Sequence, residues 1–97
     1  MKKEYKQRGG VLIGLLNFTW PFASIVVSQD NITIRVLFKK YTFTKSNIKA
    51  LKKHNGIFSV GLKIEHTNSE VIGKLIFWTF NYKKLKSALE HQQYVVE

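Results

Sequence analysis

Lysine is the residue type whose number and spacing in this sequence could carry chemistry, because two groups of lysines could together hold an anion. Six lie between positions 39 and 53 with no acidic residue among them, and three lie between positions 83 and 86. The nine candidate residues are Lys39, Lys40, Lys45, Lys49, Lys52, Lys53, Lys83, Lys84 and Lys86. Lysine acts as a point charge, so such a site would be sensitive to salt. The alternative is a solvated charged face.

The charge balance of the whole chain also favours anionic partners. Lysine and arginine number 16 against 6 acidic residues, which gives a net charge of +10. Such a field attracts nucleic acid, an acidic membrane surface or an acidic protein. Only Arg8 and Arg35 are arginine, the residue suited to bidentate reading of bases and phosphates. We therefore expect little sequence-specific recognition of nucleic acid.

Residues for catalysis or metal binding do not form a recognisable pattern. The chain has no cysteine, which excludes a disulfide, a thiolate zinc site and a cysteine nucleophile. The three histidines, His54, His66 and His91, contain no pair at the i, i+4 spacing that binds zinc, and there is no nucleophile elbow or phosphate-binding loop. We expect no enzyme activity, catalytic residue, metal, cofactor or small-molecule substrate. His66, on the apolar side of an alternating segment, is expected to be a packed structural residue.

Trp20 and Trp78 could stack on the bases of a nucleic-acid single strand. Trp78, however, lies within the sequence IFWTF, and large aromatic residues supply much of the buried area of a small core. We therefore interpret Trp78 as a core residue and place Trp20 over one end of the core.

The amino-terminal part of the chain could be either a targeting segment or the first strands of a domain. Residues 1–8 are typical of a basic mobile tail. The apolar run at 11–16 is short for a signal peptide, and the polar residues and proline at 17–21 prevent a transmembrane helix. We expect a β-hairpin instead, with strands at 11–16 and 22–28 joined by a turn at 17–21.

The remaining chain alternates between strand and turn patterns. Further strands are predicted at 32–39, 41–43, 60–66 and 75–80. A turn is expected at Lys39 and Lys40, while the segment 44–56 is ambiguous and its local pattern favours a short helix. Asn81 suits the N-cap of an amphipathic helix at the carboxyl end. Many strands followed by one helix indicate an antiparallel barrel or sandwich that the helix closes.

Several segments resemble the small bacterial pleckstrin-homology-like domains. FTKSNI at 43–48, GLKIEHT at 61–67 and FWTFN at 77–81 occur in the order found in that family, and WPFASIVVSQDNITI at 20–34 is similar to its second and third strands. The resemblance implies a mainly β (α+β) fold. Residues 9–97 would form one barrel of two roughly orthogonal antiparallel sheets, with about seven strands and a C-terminal helix as a cap. It also implies a strand at 47–54.

The wider superfold that the chain resembles includes binders of phosphoinositides, peptides and other proteins. Phosphoinositide binders carry basic residues around the first hairpin, and the predicted turn at 17–21 has none. We therefore predict a non-catalytic binding or assembly module whose partner is a protein, another copy of the chain or an acidic surface. The alternatives are non-specific nucleic-acid binding through the lysines and peripheral binding to anionic membranes. The expected location is the cytoplasm, with the membrane periphery as the alternative.

Overall fold

A computed structural model describes residues 3–71 and 73–97 and shows a mainly β protein with a helix at its carboxyl end. The elements are β1 (Tyr5–Ile13), β2 (Leu16–Val27), β3 (Asn31–Val36), β4 (Lys39–Thr44), β5 (Ile48–Asn55), β6 (Val60–His66), β7 (Leu75–Thr79) and α1 (Tyr82–His91). The strands pair antiparallel in the order β4-β3-β2-β1-β7-β6-β5 and form one sheet that curls into a half-barrel. The two orthogonal sheets implied by the resemblance are not shown.

β1 changes its pairing at two consecutive glycines. Gly9 lies opposite Ala23 of β2, and the register of the two strands shifts between Gly9 and Val11. From Gly10 onward β1 also pairs with β7. A Cβ atom on Gly9 would overlap the carbonyl oxygen of Trp78 and approach Cζ of Phe77 to 2.7 Å. A residue without a Cβ atom permits this close approach, and the irregular pairing lets the long strand bend there.

The inner face of the curled sheet holds the hydrophobic core. Period-two alternation sends every second side chain of each strand to this face, and two leucines of α1 complete it. The fully buried residues of the core include Val11, Ile25, Val27, Ile32, Ile34, Phe43, Leu62, Leu75, Phe77, Leu85 and Leu89. Burying one such side chain contributes about 1.5–3 kcal/mol relative to leaving it in water.

α1 begins where the sequence predicts, which confirms Asn81 as its N-cap. Its side-chain Oδ1 accepts a hydrogen bond from the backbone N–H of Lys84 at 3.1 Å. Leu85 and Leu89, four residues apart, share the face that packs on the sheet. Among the residues that the structure describes, no helix has the length and apolar character needed to cross a membrane.

The segment after α1 returns to the sheet and is anchored at two points. The Tyr94 side chain is buried, and its hydroxyl donates a hydrogen bond to the carbonyl oxygen of Ser28 at 2.8 Å. The backbone N–H of Glu97 donates to the carbonyl oxygen of Leu51 at 2.7 Å. The segment therefore joins the end of β2 to β5, one of the two edge strands of the sheet.

The first hairpin differs from its predicted boundaries. β1 begins at Tyr5, so residues 5–8, predicted as part of a basic tail, form a strand paired with β2; residues 1 and 2 lie outside the described part. The predicted turn at 17–21 is wrong, because those residues lie within β2 and the chain turns at Gly14, whose φ is 60°. Their polar side chains misled the prediction, since a strand with one solvent-facing side also carries polar residues.

The hairpin of β3 and β4 turns earlier than predicted. β3 ends at Val36, and Leu37 takes a φ of 53°, in the left-handed region. Lys39 and Lys40 therefore do not form the turn but begin β4, with Lys39 opposite Val36. An apolar residue at this backbone angle carries no composition signal for a turn, because such positions favour Gly and Asn.

The ambiguous segment 44–56 contains strand β5 (Ile48–Asn55), close to the strand at 47–54 that the resemblance implies, and the local preference for a helix is wrong. β5 pairs with β6 and places Leu51, 1% exposed, opposite Ile64. Pairing and burial of this kind outweigh a weak helix propensity. The strand predicted at 60–66 is confirmed, since β6 has those boundaries.

Replacing Gly9 by alanine tests the close approach of β1 to β7. We expect G9A to lower the free energy of unfolding by about 1–3 kcal/mol, because the added methyl group must displace the backbone of β7 or the ring of Phe77. Urea unfolding followed by circular dichroism measures the change. Lys6→Ala, at an exposed position of the same strand, is the control and should stay within about 0.5 kcal/mol of wild type. Equal stability of G9A and wild type would contradict this role.

The buried hydroxyl of Tyr94 predicts a loss of stability at alkaline pH. Burial, assisted by the charge of Asp30, raises the pKa of Tyr94 from 10.0 to about 12. The folded chain holds this proton more tightly than the unfolded chain, so stability should fall as the pH rises from 10 through 12. Urea unfolding at a series of pH values should show a shallower fall for Tyr94→Phe than for Tyr41→Phe, which retains Tyr94. Identical slopes would contradict the prediction.

Candidate binding surface

Trp78 lies on the outer face of the sheet between two glycines. It is opposite Gly10 of β1 and Gly61 of β6. A Cβ atom on Gly61 would lie 3.1 Å from Cε3 of the indole ring, so the ring packs over β6 at a position without a side chain. Nε1 of Trp78 donates to Oδ1 of Asn17 at 3.1 Å, and the His54 ring makes an edge contact at 5.5 Å between centroids. These contacts hold the ring in one orientation.

A groove of about 530 Å³ opens beside Trp78, and we call it the aromatic groove. Its apolar walls are Trp20, Ile57, Phe58, Trp78 and Phe80. Gly10 and Gly56 also line the groove, where the absence of side chains leaves it open. None of the described residues that line it is charged.

The walls of the aromatic groove expose large apolar side chains to solvent. Trp20 is 52% exposed, Phe80 81%, Ile57 91% and Phe58 96%. The rings of Trp20 and Phe80 meet edge to face with 6.1 Å between centroids, so residues from β2 and from the end of β7 form one surface. An exposed apolar patch that gathers around a concavity is typical of an interaction site.

The turn between β5 and β6 forces two of these residues outward. The backbone N–H of Gly56 donates to the carbonyl oxygen of Ser59 at 2.8 Å, which places Ile57 and Phe58 at the tip of the hairpin. Turns of this kind usually carry Gly, Asn, Asp or Ser, whose polar groups remain hydrated. The two apolar side chains at this tip stay in water until another surface covers them.

The aromatic groove continues into a second cavity of about 380 Å³ that leads to α1. The two share Ile57, Phe58 and Phe80, and the second cavity reaches Tyr82. Nζ of Lys53 lies 5.4 Å from the centroid of the Tyr82 ring. Lys86 follows Tyr82 by four residues, so both lie on the same side of α1. The groove therefore runs from apolar walls to Tyr82, whose ring contacts Lys53.

The structure distributes the nine predicted lysines over four places. Lys39 and Lys40 begin β4, Lys45 follows β4, Lys49, Lys52 and Lys53 are on β5, and Lys83, Lys84 and Lys86 are on α1. Lys52 and Lys53 point to opposite faces of their strand. Lys52 pairs with Glu65 at 3.3 Å, whereas Lys53 reaches Tyr82. The structure thus brings Lys53 against Tyr82 at the start of α1; that the nine lysines bind an anion stays a prediction.

Lys45 has a structural contact that the sequence did not indicate. Its Nζ atom donates to the carbonyl oxygen of Gln92 at 2.8 Å and lies 4.7 Å from the centroid of the Tyr94 ring. These contacts hold the segment that follows α1. Lys39 similarly lies 5.3 Å from the centroid of the Tyr41 ring.

The sequence prediction missed the aromatic groove because it assigned Trp78 to the core and placed Trp20 over one end of it. Trp78 is instead partly exposed, and Trp20 is more than half exposed. A usable signal was Ile57 and Phe58 directly after Gly56, where a turn would normally be polar. That Trp78 lies between two glycines depends on strand register, which the order of residues does not reveal.

His66 occupies a packed position at the end of β6. Its Nδ1 atom accepts a hydrogen bond from the backbone N–H of Asn68 at 3.1 Å, and its ring lies 5.0 Å from that of Phe43. Burial lowers the pKa of His66 below its ordinary value of 6.5. Within residues 3–71 and 73–97 there is no group of three or more His, Asp or Glu residues that could hold a metal ion.

Comparison of the chain with family models, curated proteins and solved structures finds no match. The resemblance to pleckstrin-homology-like domains therefore stays a prediction.

The position of His66 predicts a loss of stability in mild acid. Because its folded pKa is lowered, stability should fall as the pH drops below about 6.5, where the unfolded chain takes up the proton more readily. Protonation would also remove Nδ1 as the acceptor for Asn68. Urea unfolding between pH 7.5 and 5 should show a smaller fall for His66→Asn than for His54→Asn. The same fall in both variants would show that His66 is not responsible.

Proposed function

We propose that this chain is a non-catalytic binding module whose aromatic groove receives apolar side chains of a protein partner. The observation that carries the proposal is the concentration of exposed Trp20, Ile57, Phe58 and Phe80 around one concavity. Removing an exposed aromatic or branched side chain from water contributes about 1.5–3 kcal/mol. A few such contacts would supply the core of a specific interface, which is usually aromatic and poor in charge.

The absence of charge along the groove supports a protein partner over nucleic acid. A single strand that stacks its bases on aromatic residues also needs cations that follow its phosphates. The described lining of the aromatic groove contains no lysine or arginine. An apolar side chain from a protein, which brings no charge with it, fits such walls better.

The pleckstrin-homology-like identity of the fold, with two roughly orthogonal sheets, is part of the same proposal. Its support is the change of pairing within β1, whose first half pairs with β2 next to β3 and whose second half pairs with β7. In a barrel of two orthogonal sheets, strands that take part in both sheets change partners at such bends and bulges. A shared fold does not supply a function, so the binding role depends on the groove alone.

Selection from a random peptide library displayed on phage tests the binding role. The immobilised protein should enrich peptides with aromatic or large aliphatic residues, since these side chains fill the groove. The double variant Phe58→Ser with Phe80→Ser should retain about tenfold fewer of the selected phage, because it removes two apolar walls. Both side chains are at least 81% exposed, so the variant should fold.

Phe38→Ser is the matched control for this selection. Phe38 is also fully exposed at a hairpin tip, but it does not line the groove, so the control should retain the selected phage. Failure to enrich any peptide, or equal loss in the control, would overturn the proposal. Binding to phosphatidylserine vesicles or to oligothymidylate would also overturn the proposal if the groove variant lost that binding and the control kept it. The groove would then serve a membrane or a nucleic acid.

A further inference from the structure

Building on the proposed function, we propose that the partner segment combines an apolar anchor residue with nearby acidic residues. The anchor occupies the aromatic groove, and the carboxylates lie against Lys53 and Lys86 at the end next to α1. We call these two lysines the basic end of the groove. The partner class is therefore an acidic peptide segment with one or more large apolar residues.

The aromatic groove and the cavity beside Tyr82 are continuous. Phe58 and Phe80 belong to the walls of both, so a chain that fills the aromatic groove passes directly into the cavity beside Tyr82. An extended peptide advances about 3.3 Å per residue, so about four residues from the anchor span roughly 13 Å. Acidic residues within that distance of the anchor would reach the basic end.

The basic end of the groove carries positive charge next to Tyr82. Nζ of Lys53 is 5.4 Å from the Tyr82 ring, and Lys86 lies one helical turn beyond Tyr82. A carboxylate placed between Lys53 and Lys86 gains from both charges, and the gain is larger where the aromatic walls exclude water.

The net charge of the chain argues against a second copy as the occupant. Each copy carries a net charge of +10 with only 6 acidic residues. Bringing two such molecules together places like charges near one another, which opposes association. One of the few acidic residues, Glu65, already pairs with Lys52. Charge complementarity therefore favours a different, acidic protein.

The composition of peptides selected on wild-type protein and on charge variants tests this inference. On wild type, acidic residues should be enriched within about four positions of the apolar anchor. Selection on Lys53→Glu with Lys86→Glu should lose that acidic enrichment but keep the apolar anchor, because the groove walls are intact. Adding 0.5 M salt during selection on wild type should weaken the acidic enrichment in the same way.

Lys49→Glu with Lys74→Glu is the matched control, because it changes the net charge equally at the opposite ends of β5 and β7. It should keep the acidic enrichment, which separates a local basic end from general attraction to a cationic protein. Equal loss in both double variants, or apolar anchors without acidic neighbours on wild type, would overturn the inference and leave the groove proposal standing. Absence of apolar anchors would overturn both. Thermal unfolding of each variant confirms that the selections use folded protein.

Discussion

The close contact of β1 with β7 at Gly9 and Gly10 is the constraint on which the rest of the structure depends. Gly9 faces inward, where the missing side chain admits the ring of Phe77 and the backbone of Trp78. Gly10 faces outward, where the missing side chain leaves the aromatic groove open. Val11, the next residue, is fully buried in the core. Two adjacent glycines thus serve the bend, the packing of the core and the shape of the outer surface.

On the outer surface, the exposed apolar side chains and the lysines lie in different places. The aromatic groove has uncharged walls, and the cavity that continues from it ends near Lys53 and α1. Large exposed apolar patches favour self-association, but a net charge of +10 on every copy opposes it. An acidic partner, as proposed above, would cover the apolar walls without bringing positive charges together. The excess of lysine and the exposed aromatic residues are therefore complementary features.

Local sequence patterns correctly predicted the elements that depend only on neighbouring residues. Alternation in Val60–His66 gave the correct strand, and the amide of Asn81 identified the start of α1, because both signals act within a few residues. The first hairpin was less predictable. Asn17 breaks the apolar run and suggested a turn, yet it lies in β2 and accepts a hydrogen bond from Trp78, 61 residues away. A polar residue that serves a distant partner resembles a turn residue when only its neighbours are considered.

The sequence by itself determined the mainly β composition, the C-terminal helix and the excess of positive charge, because these follow from residue types and short-range periodicity. Only the tertiary structure decided between helix and strand for segment 48–55, brought Lys53 to Tyr82 and placed Trp78 between Gly10 and Gly61. Each of these depends on strand register between segments far apart in the chain. Register is set by the packing of the whole core, since a shift of one residue would turn every side chain of a strand to the other face.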